Sequence, residues 1–252
     1  MRLLTLNTLF KGDVRARLRA LAAHLAATPY DVVCLQEVLT RGGARLLAEL
    51  APAYTHRRYH GIPILKGGLV LLSRRPVVSC SFTRFPVTGP ARPERLMRKG
   101  AQVAVLETPA GRLAVVNTHL SANRDDDWSP ANRWTAVARA ELTHLAGAVA
   151  ALDPAMPVVV TGDLNVPRDA AVLADFRAAT GLTDAMAGDP RPTYRPTPQW
   201  PAPPAFDHVL VRGATAACRL VFEEERVPLR DGRSVYLSDH YGIEADLTLS
   251  AG

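Results

Sequence analysis

Three features of this 252-residue chain predict an α/β fold. Short apolar runs alternate with amphipathic stretches of helical period. The runs are Val- and Leu-rich and continuous, as strands buried on both faces are. A composition of 48% hydrophobic and 21% charged residues is that of an ordinary globular protein and excludes a fibrous or wholly disordered chain. One domain over residues 1–252 is expected, because this length can bury a large core and no linker-like composition interrupts it.

The elements follow in order. Residues 2–6 form the first strand. A helix comes next, opened by Asp13 and carrying Val14, Leu18, Leu21 and Leu25 on one face. Strands are then expected over 31–35, 69–72, 77–82, 102–106 and 113–116. Ser129-Pro130, a cap residue before the proline tolerated at a first helical position, predicts a second helix with Trp134, Val137, Glu141, Leu142, Leu145 and Val149 at helical spacing. Strands over 158–161, 209–211, 219–222 and 243–249 complete the set. Residues 84–100, rich in Pro and Arg, and the proline-dense residues 189–204 read as long irregular loops, which in a compact domain usually carry function.

Thirty Lys and Arg against 24 Asp and Glu give a net charge of +6, which favours a phosphate-bearing or polyanionic partner through long-range attraction. Aromatic residues at 6% argue against a broad base-stacking platform. Cys34, Cys80 and Cys218 are too few and too widely spaced for a disulfide framework or a zinc knuckle, and fit a reducing compartment. No run approaches the length of a membrane span and the N-terminal apolar stretch is too short for a signal sequence, so a cytoplasmic location is expected.

The chemistry sits at the ends of the strands. The first runs into Asn7, the second into Gln36-Glu37, the one over 113–116 into Asn117-Thr118-His119, and the one over 158–161 into Gly162-Asp163-Leu164-Asn165. Late in the chain the order reverses: Asp207-His208 opens a strand and Ser238-Asp239-His240 precedes one. If the late strands run antiparallel to the early ones, all six clusters meet on one edge. Glu37, Asp163, Asp239, Asn7 and Asn165 are hard oxygen donors that suit Mg²⁺ or Mn²⁺ and make a poor zinc site. Two histidines without cysteine partners are better proton handlers than metal ligands. Together they read as metal-assisted phosphoester hydrolysis.

These motifs, in this order and across nearly the whole chain, resemble those of the endonuclease/exonuclease/phosphatase superfamily, with Gly68 to Ser73 a further matching piece. The resemblance implies a four-layer α/β sandwich, two mixed β-sheets packed face to face with helices outside and the site at one edge. It implies a Mg²⁺-dependent phosphodiesterase, with Mn²⁺ as a substitute, in which Glu37, Asn7 and Asp239 hold metal. Asp207 would orient His240, which activates water or stabilises phosphoryl charge. Asn165 would hold the phosphoryl group, Asp163 would position water or metal, and His119 would protonate the leaving oxygen. Asp163 and His240 both stay open as the base, and one-metal and two-metal schemes both stay open.

Leu9 and His119 depart from the abasic-site endonuclease pattern and move the chain towards the sphingomyelinase and deoxyribonuclease I branches, although the arginine often found shortly before the late aspartate is absent. Lys99, just before a strand, is read as a phosphate-side cation. Trp128 and Trp200 either line the substrate groove or anchor loops, His208 is structural or supports a site residue from behind, and Asp125-Asp126-Asp127 is a solvated loop or helix-start charge. The substrate is a phosphoester, with nucleic acid and phospholipid head groups as the rival classes. A non-catalytic phosphoester-binding module is the reading from another class.

Overall fold

In the computed structural model, which describes residues 1–249, the apolar runs form two six-stranded mixed sheets; residues 250–252 of the expected 1–252 domain lie outside the described residues. The first sheet has the order β11 (Ala214–Val221), β14 (Gly242–Leu249), β1 (Arg2–Asn7), β2 (Val32–Gln36), β4 (Val70–Ser73), β3 (His56–Tyr59). The second has the order β5 (Val77–Arg84), β6 (Gly100–Thr108), β7 (Gly111–His119), β8 (Val158–Asp163), β10 (Asp207–Arg212), β9 (Thr183–Asp184). A small hairpin, β12 (Arg226–Pro228) and β13 (Ser234–Tyr236), stands apart from both sheets.

Three apolar layers hold this arrangement. Between the sheets, Leu3, Val32, Cys34 and Leu71 of the first meet Leu106, Val115, Val159 and Val209 of the second. On the outer face of the first sheet lie α1 (Val14–Ala27) and α2 (Arg41–Leu50), with Leu18, Leu21, Leu25 and Leu47 packed on Leu4, Val33 and Leu35. On the outer face of the second lie α3 (Arg133–Ala150) and α4 (Ala171–Thr180), with Leu142, Leu145, Val149 and Phe176 packed on Val116, Val158 and Val160. This is the expected four-layer α/β sandwich. Strands covered on both faces explain why the sequence signal was continuous apolar runs.

All ten expected strands are present, most of them longer by one to five residues. The second helix begins later than Ser129-Pro130 predicts: Asn132 is its cap, accepting from the amides of Trp134 and Thr135, while Ser129 belongs to the preceding turn held by Asp127. Asp13 precedes α1 without a side-chain capping bond. No expectation covered α2, α4, β3, β9, β12 or β13. No helix among the described residues is long and apolar enough to cross a membrane.

Strand direction brings the site residues together. β1 runs parallel to β2 and antiparallel to β14, and β8 runs parallel to β7 and antiparallel to β10. Asn7 therefore lies in register with Gln36, while His119, Asp163 and Asp207 are successive partners across three strands. The two sheets are tied at this edge by buried amides. Asn117 accepts from Gln36 Nε2 at 2.8 Å and donates to the carbonyls of Leu35 and Val70 across the interface, at 3.2 and 3.3 Å. Replacing Asn117 by Ala removes its buried bonds to Gln36, Leu35 and Val70 together, so stability to urea should fall by at least about 2 kcal/mol with the denaturant slope unchanged. A loss below about 0.5 kcal/mol would mean that the amide bridge contributes little.

Candidate active site

Two glycines let the backbone carry this site. Gly162 adopts φ 134°, and a Cβ there would sit 2.0 Å from the Thr118 carbonyl, so β7 and β8 can pair up to Asp163 only with glycine at that position. Gly68, at φ 66°, passes so close to Glu37 that a Cβ would lie 2.8 Å from its Cα. Glu37 is itself left-handed, with φ 65°, which takes its carboxylate out of the β2 register. The backbone amide of Phe10 then donates to Glu37 Oε2 at 2.9 Å.

At the centre, Asp163 Oδ2 accepts from Asn7 Nδ2 at 2.9 Å and lies 3.4 Å from His119 Nε2 and 3.7 Å from His240 Nε2. His240 Nδ1 donates to Asp207 Oδ2 at 2.8 Å, the orienting contact expected from the motif. Two neighbouring amides fix Asp207 from behind: those of Phe206 and Asp207 both donate to Thr193 Oγ1 at 2.9 Å. Ser238 ties the segment before β14 to the end of β1, donating to the Asn7 carbonyl at 2.6 Å and accepting from the His240 amide at 3.1 Å. Asn165, left-handed at φ 50°, closes a turn by donating its amide to Asp163 Oδ1 and one side-chain hydrogen to the Leu120 carbonyl, both at 2.9 Å.

Burial and charge set the protonation states. Burial alone would lower the His240 pKa, but the carboxylates of Asp207, Asp163 and Asp239 override it and raise it to about 10. This imidazole is therefore a cation at neutral pH. Asp163 is pushed up to about 7, chiefly by burial, with the Asp207 charge adding to the rise and the His240 cation opposing it. His119 is driven well below its ordinary value by burial and by the Lys99 ammonium.

Lys99 does not present a free ammonium. It is buried, and donates to His119 Nε2 at 2.8 Å, to the Leu120 carbonyl at 2.7 Å and to Glu94 Oε1 at 2.7 Å. Its three hydrogens are thus engaged inside the protein, which corrects its reading as a phosphate-side cation. The same contact alters His119, whose Nε2 accepts from Lys99 instead of offering a proton to a leaving oxygen.

The residues expected to hold metal lie beside this cluster. Asn7 turns its amide nitrogen to Asp163 and keeps Oδ1 on the other side, where it accepts from the Leu9 amide. Glu37 and Asp239 are half-buried, and with Asp163 they surround the Tyr194 phenol, whose pKa is raised by burial and by those carboxylates. Hard oxygens from a carboxamide and two accessible carboxylates fit a divalent cation such as Mg²⁺. The tightest group of potential ligands among the described residues is a different one, Asp163, Asp207 and His240, with one ligand atom from each within 4.8 Å of the others. These three are already hydrogen-bonded to each other or to Asn7, which suits proton and charge handling.

Sequence reasoning missed Tyr194, whose ring stands edge-on to His240 at 5.0 Å. Residues 193–195 pair with the segment of 239–241, so part of the proline-dense stretch forms a wall of the site. Arg195 anchors that wall, with its guanidinium 3.5 Å from the Tyr236 ring centroid and bonds to the carbonyls of Phe222 and Glu223. The signal in the sequence was only a Thr-Tyr-Arg among prolines. Trp128 and Trp200 both pack on Phe206 at 5.7 Å, and the Trp128 indole donates to the Asn165 carbonyl at 3.3 Å, so both continue this wall. His208 donates to or accepts from nothing in the cluster; its Nε2 meets the Val166 carbonyl at 2.8 Å, as a structural residue would.

A family model described as the Endonuclease/Exonuclease/phosphatase family matches residues 4–240. The chain is 25% identical, over 99% of its length and 61% of the other, to the "Putative neutral sphingomyelinase" of Drosophila melanogaster. It covers between 26% and 61% of the curated relatives that it matches. Among solved structures it is similar to D. rerio TDP2 complexed with single strand DNA product, at TM-score 0.78 and 20% identity over 98% of both chains. It is also similar to a beta toxin from Staphylococcus aureus with bound magnesium ions, at TM-score 0.77 and 17% identity over 99% of both chains.

If the Asp207 carboxylate holds the His240 proton, Asp207→Asn should bring the imidazole titration, followed by NMR in metal-free protein, down from near pH 10 towards the ordinary value of about 6.5. An unchanged midpoint would show that another group supplies the shift.

Proposed function

The chain belongs to the Endonuclease/Exonuclease/phosphatase family, and on that premise we propose that it is a Mg²⁺-dependent phosphodiesterase that cleaves a P–O bond by water attack. The observation that carries this reading is the buried unit of Asn7, Asp163, His240 and Asp207, in which the Asp163 carboxylate accepts from Asn7 and faces an imidazole that Asp207 holds from behind.

The division of roles follows from the protonation states. We take Asp163 as the base, because burial raises its carboxyl pKa while the carboxylates of Asp207, Asp163 and Asp239 favour a proton on His240. His240 offers an Nε2–H to the phosphoryl oxygens as negative charge grows there, and Asp207 keeps that donor aimed and charged. Asn165 has a second amide hydrogen for the same oxygens. Lys99 holds the neutral His119 against the floor of the site. Asn7, Glu37 and Asp239 would hold Mg²⁺, with Mn²⁺ as a substitute; when bound, the ion supplies Lewis-acid stabilisation of the phosphoryl group.

A phospholipid or sphingolipid head-group ester is the favoured substrate class, because the relative aligned along almost the whole chain bears a sphingomyelinase name. A nucleic-acid phosphoester is the second reading, favoured by the net charge of +6.

Chelation should abolish hydrolysis of a sphingomyelin-type substrate, and added Mg²⁺ should restore it; full activity in chelator would remove the metal from the proposal. Asp163→Ala and His240→Ala should each lower turnover by about 10²-fold or more. Near-wild-type rates in both variants would sink the assignment. Nicking of supercoiled plasmid that disappears in Asp163→Ala would instead select the nucleic-acid reading.

A further inference from the structure

A cavity of about 500 Å³ opens between α1 and α2, outside the polar cluster but sharing Glu37 with it. Val14 and Leu18 of α1, Val38 and Leu39 of the turn after β2, and Leu46 of α2 give it an apolar lining. Phe10 lines it too and remains 38% exposed. The amide of Phe10 donates to Glu37 Oε2, so ring and acid are fixed by the same contact. Apolar surface continues beyond the groove: Ile64 pairs with Thr40 of the lining, and Ile62 and Ile64 are 71% and 45% exposed.

Two features make this more than a crevice between helices. Gly42 lines the groove within the first turn of α2, where a Cβ would meet nothing nearer than Thr40 Oγ1 at 3.9 Å. Glycine inside a helix is unfavourable relative to alanine, and packing does not require it here, so its effect is to leave room. Arg15 and Arg45 line the groove against a single acid, Glu49, on the parts away from Glu37, and this excess of positive charge complements an anionic substrate.

We propose that this groove seats one apolar chain of an amphiphilic phosphodiester whose ester phosphorus lies beside Glu37. The inference rests on the phosphodiesterase reading and adds to it the part of the substrate that is not hydrolysed. Each methylene removed from water by the groove strengthens binding by up to about fourfold, and a nucleotide without such a chain gains nothing from it.

The test is a series of alkyl 4-nitrophenyl phosphodiesters, from methyl to decyl, assayed in Mg²⁺ below their micelle concentrations. In the wild type, kcat/KM should climb with chain length, approaching about fourfold per buried methylene. Gly42→Phe, which fills the groove, and Leu39→Gln, which makes its lining polar, should flatten that climb while leaving the methyl ester rate and the circular dichroism unchanged. A flat series in the wild type, or an undiminished slope in both variants, overturns the proposal. If no ester is cleaved, the phosphodiesterase reading fails by itself, and calorimetric titration of metal-free protein with decyl phosphate decides the groove. Binding lost in Gly42→Phe then supports the subsite, whereas no binding by the wild type, or equal binding by the variant, removes it.

Discussion

A hydrogen bond between two buried amides, Gln36 Nε2 to Asn117 Oδ1, crosses from one sheet to the other at the edge where the site residues emerge. The rest of the site depends on it. Asn7 stands on the first sheet and Asp163 on the second, and they meet at 2.9 Å only if the two sheets stop at the same height. Apolar contacts between Val and Leu side chains do not set that height, because they are non-directional. The amides do, because a shift of one sheet against the other would strand donors and acceptors in the core. Within the first sheet, Ser238 ties the segment that carries His240 to the last residue of β1.

The strands were legible because burial on both faces leaves little choice of residue: Val32 to Leu35 or Val158 to Val160 must be apolar throughout. Elements that escaped notice lack that constraint. β3 reads His-Arg-Arg-Tyr, since it lies at a sheet edge with half-exposed side chains. α2 opens on Arg-Gly-Gly, and the glycines hide its helical period. α4 has an alanine in the cap position and gives no start signal. Ser129-Pro130 misled because a good start signal three residues upstream competed with Asn132, whose side chain makes the two capping bonds.

Much of the site was legible for the same reason. A strand that must end at a particular height ends in the residue the site needs, so Asn7, His119, Asp163 and Asp207 are marked by the apolar runs behind or ahead of them. What could not be read was anything set by a neighbour remote in the chain. Lys99 looks like any basic residue until Glu94 and His119 close around it. Tyr194 has no signal before residues 193–195 pair with 239–241. Protonation states are likewise tertiary: nothing in Ser-Asp-His announces a cationic imidazole, which arises because three carboxylates surround a buried ring. A chain of net charge +6 thus folds its acids inward at this one edge.

The connections differ sharply between the two ends of the sandwich. At the edge away from the site they can be as short as residues 109–110 between β6 and β7, or Gly213 between β10 and β11. Towards the site they are long, as in residues 85–99, 120–132, 185–206 and 222–241. Insertions can therefore accumulate on this side without touching the ladders of the two six-stranded sheets. The edge is built in two ways: Asn7, His119, Asp163 and Asp207 are anchored to strand ends, whereas Asp239, His240 and Tyr194 ride on the long segments, so only the parts of those segments away from residues 193–195 and 238–240 are free to drift.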